Sequence, residues 1–506
     1  MLSVLSKLRE VLSKEEFLVG VDIGSSGIKV ALLSPDQGIV ASESSELNLY
    51  SDQPGWAEAD PNQWWYGLCN LIPKIIRVAN IKSEQISAIA ISGMVPAVLA
   101  IDQNGEPLRR AILQNDARAY AEITFLNDKL LDLDLLKLTG SVLSQQSVAP
   151  TGLWLAKNEP GVWEKTKYII GSYDWISLKL GAQPHVEQNW AIESGLYGWD
   201  ENPIPEVISA TNVTWPNLLP IKKPGEVVGE VSEKASKDSS LKVGTKIVVG
   251  GADHVLSAYG AGLVNSGDCL VKLGGAGDIL VVSDKFILDS RLYLDAHPIP
   301  NKWLPNGCMA TSGSVLRWEQ NLLGGVDLKT LDSEAKLSRP GSLIALPYFL
   351  GEKTPLHDPD LRGVIAGLHL GTTRGDIHRS LLEAIAYGFK HHFEIFGQSG
   401  IEIKSPKVTN GGSKSKLWRE ILSDVLNQNL TSIINHPGAS FGAAVIAGLG
   451  IGLITDWRYV DGSLEQGEII EPNIDNVQLY SDRYQQYLSL AKETTGVSHL
   501  LARSNR

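Results

Sequence analysis

Cysteine is nearly missing from this chain. Its three cysteines, Cys69, Cys269 and Cys308, are far apart and odd in number, which gives neither a disulfide framework nor a zinc site. Positive charge is also short. Lys and Arg number 45 against 57 Asp and Glu, a formal charge of -12. That balance excludes nonspecific nucleic-acid binding, which relies on basic side chains to neutralise phosphates. No stretch reaches the roughly 18 consecutive apolar residues of a membrane span, so no membrane partner is expected. The ten histidines contain no HExxH pair, and His391-His392 are expected to face solvent from a helix. Neither GxxxxGK[ST] nor a credible GxGxxG occurs, so Walker and dinucleotide loops are absent. The opening "MLSVLSKLREVLSKEEF" is too charged for a secretory signal. Leu2, Leu5, Leu8 and Leu12 sit at helical spacing, which predicts a short amphipathic helix. Glu10, Glu15 and Glu16 argue against a transit peptide, and the cytoplasm is the expected compartment.

What is present is a globular composition, 43% hydrophobic and 20% charged, over a length that calls for more than one core. "FLVGVDIGSSGIKVALLSPDQGIV" (17–40) reads as strand, Gly/Ser turn, strand, turn and a third strand. A helix follows, capped near Asp60-Pro61. "ISAIAISGM" reads as a buried strand ending at Gly93, residues 118–139 as helix, and 374–397 as a long helix. "GDCLVKLGGAGDILVVSD" (267–284) repeats the pattern of strand, glycine turn and strand in the second half, an echo of the first hairpin. Strands alternating with helices predict an α/β class. The expected division is an extension over 1–16, a first domain over 17–262, a second over 263–480 and a tail over 481–506.

Three glycine turns stand out: "DIGSSGIK" (22–29), "LGGAGD" (273–278) and "NGGSKS" (410–415). Exposed backbone N–H groups and hydroxyls can cradle an anion there, or each can be a plain hairpin or βα turn. Asp22 closes a buried strand beside the first turn, where a carboxylate can serve phosphate-bound Mg²⁺. In "VVGGADHVLSAYGAG" a β-branched run enters two glycines, then Asp253, then a helical pattern. Taken alone, Asp253 is either the cap of that helix or a group that carries chemistry.

These motifs, in this order, resemble the FGGY carbohydrate kinases of the actin-like, hexokinase-like ATPase superfamily. The resemblance runs from about Phe17 to Gly452. "GVDIGSSGIKVALL" is similar to the family's first phosphate motif, "GGADHVLSAYGAG" to its catalytic-aspartate motif and "NGGSKSKLWREILSDVLNQNL" to its adenosine motif. "LGGAGDI" stands where the family more often carries a Thr or Ser in its second phosphate motif. The resemblance implies two actin-like (ribonuclease H-like) domains with an ATP and sugar cleft between them. It implies phosphoryl transfer from ATP to a sugar or polyol hydroxyl, with Asp253 as the proton acceptor and Asp22 holding Mg²⁺. Gly24, Ser25, Ser26 and Lys29, with Gly274, Gly275 and Gly277, would meet the phosphates, and Gly411, Gly412 and Ser413 the adenosine.

For the acceptor, xylulokinases carry a Gln-Met-His segment where this chain has Met94, Val95 and Pro96, so two hydrogen-bonding side chains are missing. Asp116 and Arg118 in "ILQNDARA" match the family's Asn-Asp-x-Arg. Asp116 is expected either to accept sugar hydroxyls or to pair with Arg118. Trp56 and Trp65 can stack on a sugar or pack a helix. His254 stands where xylulokinases often have Asn and is expected either to touch substrate or to donate into the first helical turn. The overall pattern is nearest to xylulokinase. Ribulose, erythritol or glycerol kinases, a non-catalytic nucleotide-binding sugar sensor and a homodimeric state stay open.

Overall fold

The computed structural model describes residues 15–504, so the helix expected over residues 2–12 lies outside the described residues. The chain divides into two compact units, the first holding residues up to Gly262 with Asp295–Asn301 and Pro437–Ser463, the second holding the remainder.

The first unit is built on six strands: β1 (Phe17–Ile23), β2 (Gly27–Ser34), β3 (Gly38–Glu46), β4 (Ile86–Gly93), β5 (Val227–Glu230) and β6 (Lys246–Ala252). They lie in the order β5-β6-β4-β1-β2-β3. The meander β1-β2-β3 is antiparallel, β1, β4 and β6 run parallel, and β5 closes the edge antiparallel. β1 is buried almost throughout, as a strand covered on both faces must be. One cover is the small-residue helix Ala439–Gly450. It lies so close that a Cβ on Gly20 would stand 1.9 Å from the Ser440 carbonyl oxygen; only glycine at that strand position allows the approach. On another face, the helix Pro61–Ala79 starts with Asp60 accepting the Asn62 N–H and Pro61 in its first turn, as the sequence predicts.

The second unit repeats the plan. β7 (Asp268–Leu273), β8 (Gly277–Val281) and β9 (Trp303–Met309) form an antiparallel meander. β7 continues parallel to β10 (Ser405–Thr409) and β10 to β11 (Leu430–Ile433), with β12 (Gln466–Ile470) antiparallel at the edge. The echo read between the two hairpins is therefore a repeat of strand order and direction.

Four expectations change. Residues 437–463 pack with the first unit although they fall inside the block 263–480. Residues 481–504 are no tail: they belong to the helix Ile474–Ser504, whose Tyr480, Tyr484 and Tyr487 are buried in the second core. His392 is buried rather than solvent-facing, its Nδ1 2.8 Å from the Gly388 carbonyl; a histidine one position along a helix changes face. The helix expected over 118–139 is two, Tyr120–Lys129 and Leu135–Thr139, because Asp134 caps a new start by accepting from Lys137 N–H.

Candidate functional site

In the first unit, parallel strands deliver two carboxylates to one end of the sheet. Asp22 stands opposite Ser92 on β4, and Gly251 on β6 stands opposite the same Ser92. Asp253 follows two residues after Gly251. Two strand spacings put the ends of β1 and β6 about 10 Å apart. The carboxyl ends of parallel strands are where open α/β sheets place ligands.

β6 runs into the helix Asp253–Gly260 without a loop. The N-cap position belongs to Ala252, whose methyl group cannot cap, and Asp253 is the first helical residue. Its Oδ1 accepts the His254 backbone N–H at 2.6 Å, and its side chain is 36% exposed. The capping geometry read from spacing is thus one residue off.

His254 donates from Nε2 to Asp295 Oδ2 at 2.8 Å, and its Nδ1 lies 3.6 Å from Asp253 Oδ1. Glu193 joins the group, within 4.8 Å of ligand atoms on His254 and Asp295. Burial opposes protonation of His254, yet Asp295, Asp253 and Glu193 outweigh it and raise the imidazole well above its ordinary value. Burial, then Asp295, pushes the Glu193 carboxyl well above the carboxylate range. Asp295 is held in place by Asn189, which donates to the Ala296 carbonyl at 3.0 Å and accepts the Ala296 N–H at 2.8 Å. Asn189 sits in a helix that Glu187 caps. Sequence reading missed Glu193 and Asp295; "WAIESG" and "YLDAHP" carry no local sign of a shared site.

The first turn is a tight hairpin, with Gly24 N–H donating to the Gly27 carbonyl at 2.9 Å and Ser25 and Ser26 exposed at its tip. Lys29 faces Asp22 across the ladder and donates to the Pro437 carbonyl at 3.1 Å.

The acceptor-side expectations fare differently. Asp116 Oδ1 accepts from Arg118 N–H and Nε, and Oδ2 accepts from Arg118 Nη2 and Ala57 N–H. Both side chains are 1% exposed. Arg118 also pairs with Glu58 at 2.8 Å and lies over the Trp56 ring at 3.7 Å. The ion-pair alternative is the geometry found: Asp116 and Arg118 have no open face for a sugar hydroxyl, and Trp56 covers a guanidinium. Met94 is buried at 1% exposure, donating its N–H to the Ile23 carbonyl, so it packs beneath the strand ends rather than presenting its side chain.

The second unit holds a cavity of about 670 Å³ lined by Gly274, Gly275, Gly411 and Gly412, with Arg317 and Trp418 among the walls. The Gly274 and Gly275 carbonyls accept the N–H groups of Gly313 and Ser312 at 2.7 and 2.8 Å. The turn therefore caps the helix Gly313–Leu322 as well as lining the cavity. Gly277 is a packing glycine away from the cavity, since a Cβ there would meet Phe389 at 2.9 Å. Ser413 lies outside the lining and donates to the Asn410 carbonyl. Asp332, unread in the sequence, is a wall residue. It accepts from Ser415 Oγ at 2.7 Å and from buried His378 at 3.0 Å. His378 also meets Glu319 at 2.6 Å.

Comparison with known proteins places this geometry. Residues 17–260 match the model of the N-terminal domain of the FGGY family of carbohydrate kinases, and residues 291–451 that of its C-terminal domain. The chain is 27% identical over 486 residues to a xylulose kinase of Staphylococcus epidermidis, covering 95% of this chain and 97% of that one. It is 26% identical over 512 residues to a xylulose kinase of Lactococcus lactis, covering 97% and 99%. The crystal structure of a xylulose kinase from Rhodospirillum rubrum superposes with a TM-score of 0.90 at 33% identity, covering 96% of this chain and all of that one. Fold and likeness define a two-domain sugar kinase of the actin/hexokinase-like ATPase fold. The chain belongs to the FGGY family of carbohydrate kinases. It transfers the γ-phosphate of ATP to a hydroxyl of a sugar or polyol. Among the described residues no helix is long and apolar enough to cross a membrane.

Proposed function

We propose that this kinase phosphorylates a ketopentose of the xylulose type, with Asp253 as the base. The observation that carries the catalytic part is the exposed Asp253 carboxylate at the sheet end that also bears Asp22. The substrate class rests on likeness along nearly the whole chain to proteins named xylulose kinase.

Phosphoryl transfer asks a protein mainly for positioning and charge stabilisation. Asp253 Oδ1 is engaged by the His254 N–H, while Oδ2 has no bond to the described residues, and Oδ2 accepts the proton of the attacking hydroxyl. A carboxylate suffices because that proton leaves late in a loose transition state. His254, 25% exposed, lies next to Asp253, with its Nε2 already engaged by Asp295. Gly24, Ser25, Ser26 and Lys29 meet the phosphates. Gly274, Gly275, Gly411 and Gly412 line the cavity that takes the adenosine part of ATP. Asp22 offers a hard oxygen donor, the ligand chemistry Mg²⁺ requires, and would hold that ion directly or through water. Bound there, Mg²⁺ supplies neutralisation of phosphate charge. The enzyme works in the cytoplasm, and a homodimer is compatible with this reading.

ADP release measured against a panel of ketoses and polyols tests the substrate. D-xylulose is expected to give the highest kcat/KM. Preference for ribulose, erythritol, glycerol or a sugar acid would replace the pentulose reading and leave the kinase class standing.

A further inference from the structure

Around the reacting carboxylate lies a group of side chains that the phosphoryl-transfer scheme does not use: Asp295, Glu193 and the ring of His254. All sit in the first unit, brought together from three segments of the chain. Asp295 Oδ2 accepts a hydrogen bond from His254 Nε2 at 2.8 Å. That bond fixes which nitrogen carries hydrogen, because a carboxylate can only accept. The other nitrogen, Nδ1, is left 3.6 Å from Asp253 Oδ1. A neutral ring would then present its Nδ1 lone pair to a carboxylate, which is repulsive. A doubly protonated ring presents an N–H, which is attractive. The geometry therefore selects the imidazolium.

We propose that His254 is a positioning residue for this kinase, an imidazolium clamped by Asp295 that locks Asp253 Oδ1 and leaves Oδ2 aimed at the acceptor hydroxyl. This role rests on the reading of Asp253 as the base.

The groups facing the ring are Asp253 on its own helix, Asp295 on the segment 295–301 and Glu193 at the end of the helix Gln188–Glu193. Glu187, farther back, acts on Glu193. Their charges support the state. Burial and Asp295 push the Glu193 carboxyl well above the carboxylate range, while the carboxylates of Asp253 and Asp295 lie against the two ring nitrogens. Asp295 is itself fixed by the paired hydrogen bonds between Asn189 and Ala296. A rigid supporting shell of this kind matters because small misplacements of a reacting group cost rate on the order of 10²-fold.

The sign of the pH effect follows. A histidine whose pKa is raised keeps its proton until the pH passes the raised value. Activity that needs the imidazolium is therefore present at low and neutral pH and lost on the alkaline side. Asp295→Asn removes the anion that sustains the proton, and the loss should move toward the ordinary imidazole value of about 6.5.

The experiment is a kcat profile against pH for the full chain, its Asp295→Asn and Asp295→Glu variants and His254→Gln, alongside the histidine side-chain NMR of the unmodified enzyme. Expected in Asp295→Asn is an alkaline limb shifted to lower pH, kcat reduced on the order of 10²-fold at pH 8 and an unchanged KM for ATP. Asp295→Glu should restore the limb, and His254→Gln should abolish it. The NMR should show a doubly protonated His254 at pH 7.5. A neutral His254 in the unmodified enzyme would overturn the proposal without any variant, as would an unmoved limb in a folded Asp295→Asn. An Asp253→Asn protein with normal turnover would instead remove the base reading, whatever the state of His254.

Discussion

Arg118 holds both carboxylate oxygens of Asp116, at 2.8 Å through Nε and 2.7 Å through Nη2, with the pair closed from solvent. Removing one partner of a buried pair strands the other charge, at a cost of about 3–5 kcal/mol. Asp116→Ala is therefore expected to lower the urea midpoint and the Tm strongly. In whatever fraction remains folded, the KM for sugar should be near normal. A stable variant with a sugar-specific KM defect would return Asp116 to the acceptor site.

Asp253→Asn separates the two duties first read for this residue. The N-cap position is occupied by Ala252, and the one backbone N–H that Asp253 accepts is available to an Asn oxygen as well. The Tm should hardly move. Loss of the general base should lower kcat by on the order of 10²–10⁴-fold. Calorimetry and initial rates on one preparation check both statements; near-normal turnover would leave Asp253 a structural residue.

Gly411 and Gly412 are neighbours with opposite tolerance. A Cβ at Gly412 would stand 2.3 Å from the Trp418 ring and 2.7 Å from Leu273 Cβ, whereas one at Gly411 meets nothing within 4 Å. Overpacking costs typically about 1–3 kcal/mol. Gly412→Ala should thus destabilise the second unit and raise the KM for ATP, with Gly411→Ala close to unmodified stability. Equal thermal shifts in the two variants would contradict this account of the cavity wall.

His378 gives a pH dependence of stability. Burial disfavours its charged form, but the bonds to Asp332 and Glu319 prevail and raise its pKa from 6.5 to about 9. A raised value means the contribution is complete below about pH 6.5, declines above it and is gone once the pH passes about 9. Urea midpoints should fall between pH 6.5 and 9.5, and this component of the fall should be missing in His378→Gln. A midpoint that rises over that interval in the unmodified protein relative to the variant would reverse the assignment.

Much of this protein was legible in its sequence because the signals are local. Alternating apolar runs around "DIGSSG" and "LGGAGD" encode hairpins, since strand period and turn φ/ψ depend on adjacent residues. Asp60-Pro61 marks a helix start for the same reason, and Thr373 with Asp376 forms the capping box at the start of the long helix Arg374–Gln398. The order of motifs carried the family. Tertiary structure alone decided which distant groups meet. Asp295 reaches His254 across 41 positions, and Asp332 reaches His378 across 46. The helix Ala439–Gly450 returns to cover β1, because only there can small residues approach Gly20. Asp116, two residues from Arg118, read equally as a sugar contact or as that arginine's partner until Ala57 and the surrounding core closed over it. Such pairings are set by sheet register and by the return path of the chain. Neither leaves a trace in the neighbouring residues, because the free energy of a buried charge depends on what is packed around it and not on what precedes it.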